Sequence, residues 1–154
     1  MKRQLTRRRF CSTMGVAMGF SAIAGACRPF AEQFWRGDGR LKVRPHSGTN
    51  STETGRIMLG LESKRDAILQ LPKRSDSPLP LLVMLHGATQ SADDMLDYLG
   101  STPDDSAIAV LAPNSRNYTW DAITDSFGAD LELLNRALDR VFDKAAIDPA
   151  RSVA

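Results

Sequence analysis

Two uninterrupted apolar runs most constrain what this chain can fold into. Leu81-Leu82-Val83-Met84-Leu85 and Ala107-Ile108-Ala109-Val110-Leu111-Ala112 carry no polar residue. Runs of that length, bounded by turn formers, are expected of strands buried on both faces. Between them, Ser91-Ala92-Asp93-Asp94 has the form of a capping box, with a carboxylate three residues after the serine. A helix is expected to start there, carry Met95, Leu96 and Leu99 inward, and break at Pro103–Ser106. Pro113-Asn114 stops the second run.

Periodicity extends this layout in both directions. Upstream, Arg56–Glu62 and Asp66–Leu71 alternate around Ser63-Lys64-Arg65 and read as an antiparallel pair. Downstream, Phe127, Leu131, Leu134, Leu138, Val141, Phe142 and Ala145 recur at steps of three and four. That is the apolar stripe of a long helix beginning near Ser126. Asp130 and Glu132 early in it, and Arg136, Arg140 and Lys144 late, suit the helix dipole. Asp148-Pro149 ends it, and Arg151–Ala154 begins another strand. A hairpin followed by strand–helix–strand–helix–strand is an α/β layout, an open sheet with helices on its faces. Function in such sheets gathers in the loops after the carboxyl ends of strands. Here those loops are His86–Gln90 and Asn114–Thr124.

Charge separates the N-terminal end from the rest. Residues 1–44 hold ten Lys/Arg against two Asp/Glu, whereas residues 45–154 hold ten against sixteen. The part expected to fold is acidic, which argues against sequence-independent nucleic-acid binding. Lys2, Arg3, Arg7, Arg8 and Arg9 precede an uncharged stretch, Phe10–Ala26. This is the pattern of an export signal over residues 1–27, and Gly15, Gly19 and Gly25 dilute it too much for a permanent span. Thr6-Arg7-Arg8-Arg9-Phe10 resembles the twin-arginine motif. Ala24-Gly25-Ala26-Cys27 resembles a bacterial lipobox, with Ala24 where a large aliphatic is usual. That resemblance implies lipid attachment at Cys27 and a periplasmic, membrane-anchored protein; cleavage without lipid stays open. Residues 28–55, with the polar run Pro45–Thr52, read as a linker, and His46 as a solvated linker histidine. No Cys/His cluster has the spacing of a metal site, and no cofactor motif is present. A nucleotide-binding α/β protein is disfavoured because no glycine-rich phosphate loop follows the first buried strand.

Four segments in order carry a family resemblance: Leu81–Thr89 followed by the Ser91 helix, Val110-Leu111-Ala112-Pro113, Thr119-Trp120-Asp121, and Asp148-Pro149-Ala150-Arg151. Together they resemble the first half of a bacterial serine esterase. The group is the phospholipase/carboxylesterase-like branch of the α/β-hydrolase fold, near the polyhydroxybutyrate depolymerase-like esterases. The resemblance implies that residues 56–154 form the N-terminal half of an α/β-hydrolase sheet. It also implies a small-molecule ester as substrate. By position, the backbone N–H of Ala88 is the first oxyanion donor, and Gly87 lets that backbone approach the substrate. His86 lies upstream of where the serine belongs, so the family's Ser–Asp–His order makes it a support of the oxyanion loop. Asp121 and Asp125 fail as the triad acid by the same ordering. Trp120 is placed to floor an acyl pocket or to pack within its loop.

The nucleophile itself is missing. Neither Gly60-Leu61-Glu62-Ser63-Lys64 nor Asp125-Ser126-Phe127-Gly128 fits Gly-x-Ser-x-Gly, and no other stretch does. In the family, the Asp-Pro-x-Arg turn leads into the strand that delivers that serine. The expectation is therefore an N-terminal piece of an esterase, inactive alone. A non-catalytic exported α/β binding or interaction protein is the alternative.

Overall fold

The computed structural model describes residues 38–46, 52–74, 78–124 and 127–153. The export signal, Cys27 and Ser126 lie outside them. Five strands form one mixed sheet in the order β1-β2-β4-β3-β5. The strands are β1 (Gly55–Met58), β2 (Ala67–Leu71), β3 (Leu79–Val83), β4 (Ala109–Pro113) and β5 (Ile147–Val153). β2 runs antiparallel to both β1 and β4, whereas β3 runs parallel to β4 and to β5. With helices on both faces, this is an α/β fold.

Alternation along the strands sorts the side chains into two cores. Ala67, Leu69 and Leu71 of β2, Leu79, Leu81 and Val83 of β3, and Ala109 and Leu111 of β4 enter the larger core. Ile68, Val110 and Ala112 enter the smaller one, with Leu82 and Met84 packed against it. Successive side chains of a strand point to opposite faces, so the two cores lie on opposite sides of the sheet. Each side has its helix. α4 (Ala129–Lys144) covers the larger core through Ala137, Leu138, Val141 and Phe142. α1 (Ala92–Leu99) covers the smaller one through Ala92 and Leu96. Burying one large aliphatic stabilises by about 2 kcal/mol, against less than about 1 for an exposed ion pair such as Arg56–Asp97. The two cores, more than the surface charges, hold the layers together.

Local chemistry sets the ends of these elements. Ser91 caps α1: its hydroxyl accepts from the Asp94 N–H, and the Asp94 carboxylate accepts in turn from the Ser91 N–H. The helix stops at Gly100, whose φ of 55° lies in the left-handed region. Pro103 does not break it. It opens a separate turn, α2 (Thr102–Asp105), at a position where a missing N–H costs nothing. The hairpin loop is longer than the three residues its sequence suggested. The Asp66 carboxylate accepts from the N–H groups of Gly60, Leu61 and Ala67, and this knot occupies residues 59–66.

Two further elements depart from the sequence reading. α4 begins at Ala129, and Phe127 is 46% exposed rather than part of its stripe. The buried line runs through Asp130, Leu133, Ala137, Val141 and Phe142, while Leu131 and Leu134 flank it half-buried. The expected stripe agrees at Leu138, Val141, Phe142 and Ala145 and passes over Leu133, Ala137 and the charged Asp130. β5 begins at Ile147 and takes the Asp-Pro turn into the strand. Its register slips where Pro80 faces it, so that Leu79 pairs with Ile147 but Leu81 with Ser152. Proline cannot donate to a ladder, so a bulge belongs there. Asp148 holds it, accepting from the Ala150 N–H and from Arg151 Nε. In the segment ahead of β1, Leu41 and Val43 pack against the larger core, and Asn135 Oδ1 of α4 accepts from the Lys42 and Val43 N–H groups. His46 stands on α4 as well, its Nε2 3.8 Å from both Asp139 and Asp143.

Candidate functional site at the carboxyl ends of β3 and β4

β3 and β4 are parallel neighbours whose chains leave in opposite directions. The loop after β3 leads to α1 on one face, and the loop after β4 leads toward α4 on the other. Open α/β sheets bind their ligands at the carboxyl ends of strands where the winding reverses in this way. His86, Gly87, Ala88, Ser115 and Trp120 all lie in these two loops.

His86 is the pivot. It is 4% exposed, and the Ser115 N–H donates to its Nε2 at 3.0 Å. That nitrogen therefore carries no hydrogen, which leaves Nδ1–H to donate to the Gly87 carbonyl at 2.8 Å. With both ring nitrogens engaged, neither is free to take a proton from a serine. The Trp120 indole lies against the imidazole, ring centroids 4.8 Å apart, and its Nε1–H donates to the His86 carbonyl at 2.9 Å.

In the turn that follows, three of four N–H groups are satisfied internally. Gly87 N–H donates to Gln90 Oε1, Thr89 N–H to the Tyr118 carbonyl at 2.7 Å, and Gln90 N–H to the Gly87 carbonyl. Among the described residues no acceptor is bonded to the N–H of Ala88, which is exposed. Thr89 holds a φ of 67°, costing on the order of 1 kcal/mol or more for a β-branched residue. Gly87 matters for a reason its sequence position did not show. A Cβ there would sit 2.5 Å from Gln90 Oε1 and push the amide off the bond that closes the turn.

A buried ionic knot that sequence reasoning missed fixes the second loop. Asp130 is 4% exposed and accepts from Arg65 at 2.5 Å, from the Arg116 N–H at 2.7 Å and from the Asp121 N–H at 2.8 Å. Asp121 returns the bond, its carboxylate accepting from the N–H groups of Gly128 and Asp130. Gly128 has no side chain with which to cap α4, so Asp121, the first residue of the short helix α3 (Asp121–Thr124), serves the helix start. Burial works against the Arg65 charge, but Glu62 and Asp130 outweigh it and raise its pKa further. Glu62, bonded to Arg65 and to Arg136, is held below the usual carboxylate range. The available sequence signal was spacing: Asp130 stands three and seven residues before Leu133 and Ala137, on the buried line.

Asn114 ties the second loop to both neighbouring elements. Its backbone and side-chain N–H groups donate to the Asp66 carbonyl, and its Oδ1 accepts from the Ala92 N–H at the start of α1. The structure thus brings together His86, Gly87, Ala88 and Trp120. Cys27 lies outside the described residues. Among the described residues no group of three or more His, Cys, Asp or Glu is arranged to hold a metal ion, and no helix is long and apolar enough to cross a membrane. No protein-family model matches the chain, and no curated protein matches it.

Proposed function

We propose that this chain carries the oxyanion side of a serine carboxylesterase, and that its sheet is the N-terminal half of an α/β-hydrolase sheet. The N–H of Ala88, with no acceptor among the described residues, carries the reading. It stands in a braced turn at the carboxyl end of β3, where the first oxyanion donor belongs in that fold. In the reaction, a serine hydroxyl attacks the ester carbonyl and its proton passes to a base. The tetrahedral oxyanion accepts a hydrogen bond from Ala88 N–H, the alcohol leaves, and water releases the acid. One preorganised donor of this kind contributes about 3 kcal/mol to the transition state. No Gly-x-Ser-x-Gly occurs in these 154 residues, and the acid and base follow the serine in that fold, so the reading takes all three from outside them. The substrate class is a small-molecule ester. Nucleic acid is no partner, and the membrane is one only through the signal or a lipid on Cys27, in a periplasmic protein.

Hydrolysis of short-chain p-nitrophenyl esters tests this. The 154-residue chain alone is expected to hydrolyse none, and the same chain supplied with a segment carrying the serine elbow, acid and base to be active. In the active form, Ala88→Pro deletes the donor and is expected to lower kcat about a hundredfold with little change in KM, while Ala88→Gly keeps activity. Full activity in Ala88→Pro would overturn the assignment. So would turnover by the 154-residue chain, blocked by an organophosphonate on one of its own serines.

A further inference from the structure

The sequence left Trp120 either to floor an acyl pocket or to pack within its loop. Its geometry gives it different work. The indole is 8% exposed, lies along the His86 imidazole, and spends its only polar hydrogen on the His86 carbonyl. A buried indole N–H needs an acceptor, and this one takes it from the main chain of the opposite loop. Trp120 also does not act singly. Ser115, Tyr118 and Trp120 each bond across to the other loop, to His86 Nε2, to the Thr89 N–H and to the His86 carbonyl respectively. The loop after β4 therefore works as a template against which the loop after β3 is set.

The strain at Thr89 shows what the template achieves. A threonine at a φ of 67° is not the conformation its own sequence prefers, so contacts from outside the turn must impose it. The Tyr118 carbonyl fixes the Thr89 N–H, and Trp120 fixes the chain on the other side of Ala88. Ala88 N–H is thereby left as the one N–H of the turn with no internal acceptor among the described residues.

We propose that Trp120 is a positioning residue, which acts through His86 to hold the Gly87–Gln90 turn in the strained form that presents the Ala88 N–H. The proposal rests on the esterase reading for the use to which that N–H is put. The bracing itself is a property of this chain.

Amide hydrogen exchange in the 154-residue chain separates the two. With Trp120→Phe, the Thr89 amide is expected to exchange about tenfold faster relative to the amides of β4, the equivalent of one net hydrogen bond. A benzothienylalanine at position 120, which keeps the shape and lacks the N–H, is expected to do the same even if Trp120→Phe fails to fold. A 5-fluorotryptophan, which keeps the N–H, is expected to restore the native rate. Thr89 exchange that changes only in step with the β4 amides, or equally with and without the indole N–H, overturns the proposal. In the ester assay, Trp120→Phe is expected to lower kcat and leave KM unchanged, whereas a rise in KM alone would return Trp120 to the pocket wall. If the chain supplied with its serine, acid and base hydrolyses no ester, the esterase reading fails, and the exchange rates still decide the bracing.

Discussion

Asp130 and Arg65 are the pair on which the second loop depends. Both side chains are almost fully buried, and removing Asp130 leaves the Arg65 charge buried with Glu62 as its remaining ion-pair partner. Asp130→Ala also orphans the N–H groups of Arg116 and Asp121. The expected loss is about 3 kcal/mol, read as a lower urea midpoint with an unchanged slope. Asp130→Asn, which keeps acceptor oxygen, is expected to lose less. An Asp130→Ala protein within about 0.5 kcal/mol of wild type would show that the knot contributes nothing beyond the packing around it. Sequence alone could not assign this role. A charged residue in the first turn of a helix ordinarily serves the dipole from the surface, and only the packing of α4 onto the sheet turns it inward.

Element ends are where this protein concentrates its acid-sensitive bonds. Asp94 is held below the usual carboxylate range by the Ser91 hydroxyl and N–H at the start of α1. Asp104 is lowered by the backbone and side chain of Lys73, Asp148 by Arg151 and the Ala150 N–H in β5, and Glu62 by Arg65 and Arg136. In each case the folded pKa lies below the unfolded one, so the unfolded chain binds the proton first. The stability these groups contribute is fully present above their unfolded values, about 4. It is lost as pH falls through the lower folded values. Urea midpoints measured at pH 7, 5 and 3 should therefore fall chiefly between 5 and 3. A midpoint that rises over that interval would contradict the assignment. These carboxylates were legible as neighbours in sequence only where the partner is local, as in Ser91–Asp94 and Asp148–Arg151. Lys73 and Asp104 meet only because β2 and α2 lie side by side.

For the whole molecule, the reversal of winding between β3 and β4 decides where chemistry gathers. Consecutive strands in the sequence need not be neighbours. Here β4 lies between β2 and β3, and β5 returns to the far side of β3. That path sends α1 and α4 to opposite faces and leaves the two loops confronting each other. Export concerns the whole chain too, and its signal lies outside the described residues. Replacing Arg7 and Arg8 by Lys is expected to leave a full-length reporter fusion in the cytoplasm, and unchanged export would rule out the twin-arginine route. Labelled fatty acid is expected on the wild type and not on Cys27→Ser.

The sequence by itself determined the type and approximate place of the hairpin, the two buried strands, the Ser91-capped helix and the long helix. Those features rest on local rules: period-2 and 3.6 patterns, a capping box, and turn formers between them. It also pointed to the loops after the buried strands, and to His86, Gly87, Ala88 and Trp120 within them. Tertiary structure decided what local rules do not contain. The buried side of α4 depended on the surface it met, and the register slip of β5 on the proline of β3 beside it. The roles of Asn114, Ser115 and Asp130 depended on partners far along the chain. Trp120 is the clearest instance: a tryptophan in a loop can pack or bond, and only the approach of the His86 carbonyl to its indole N–H selects between them.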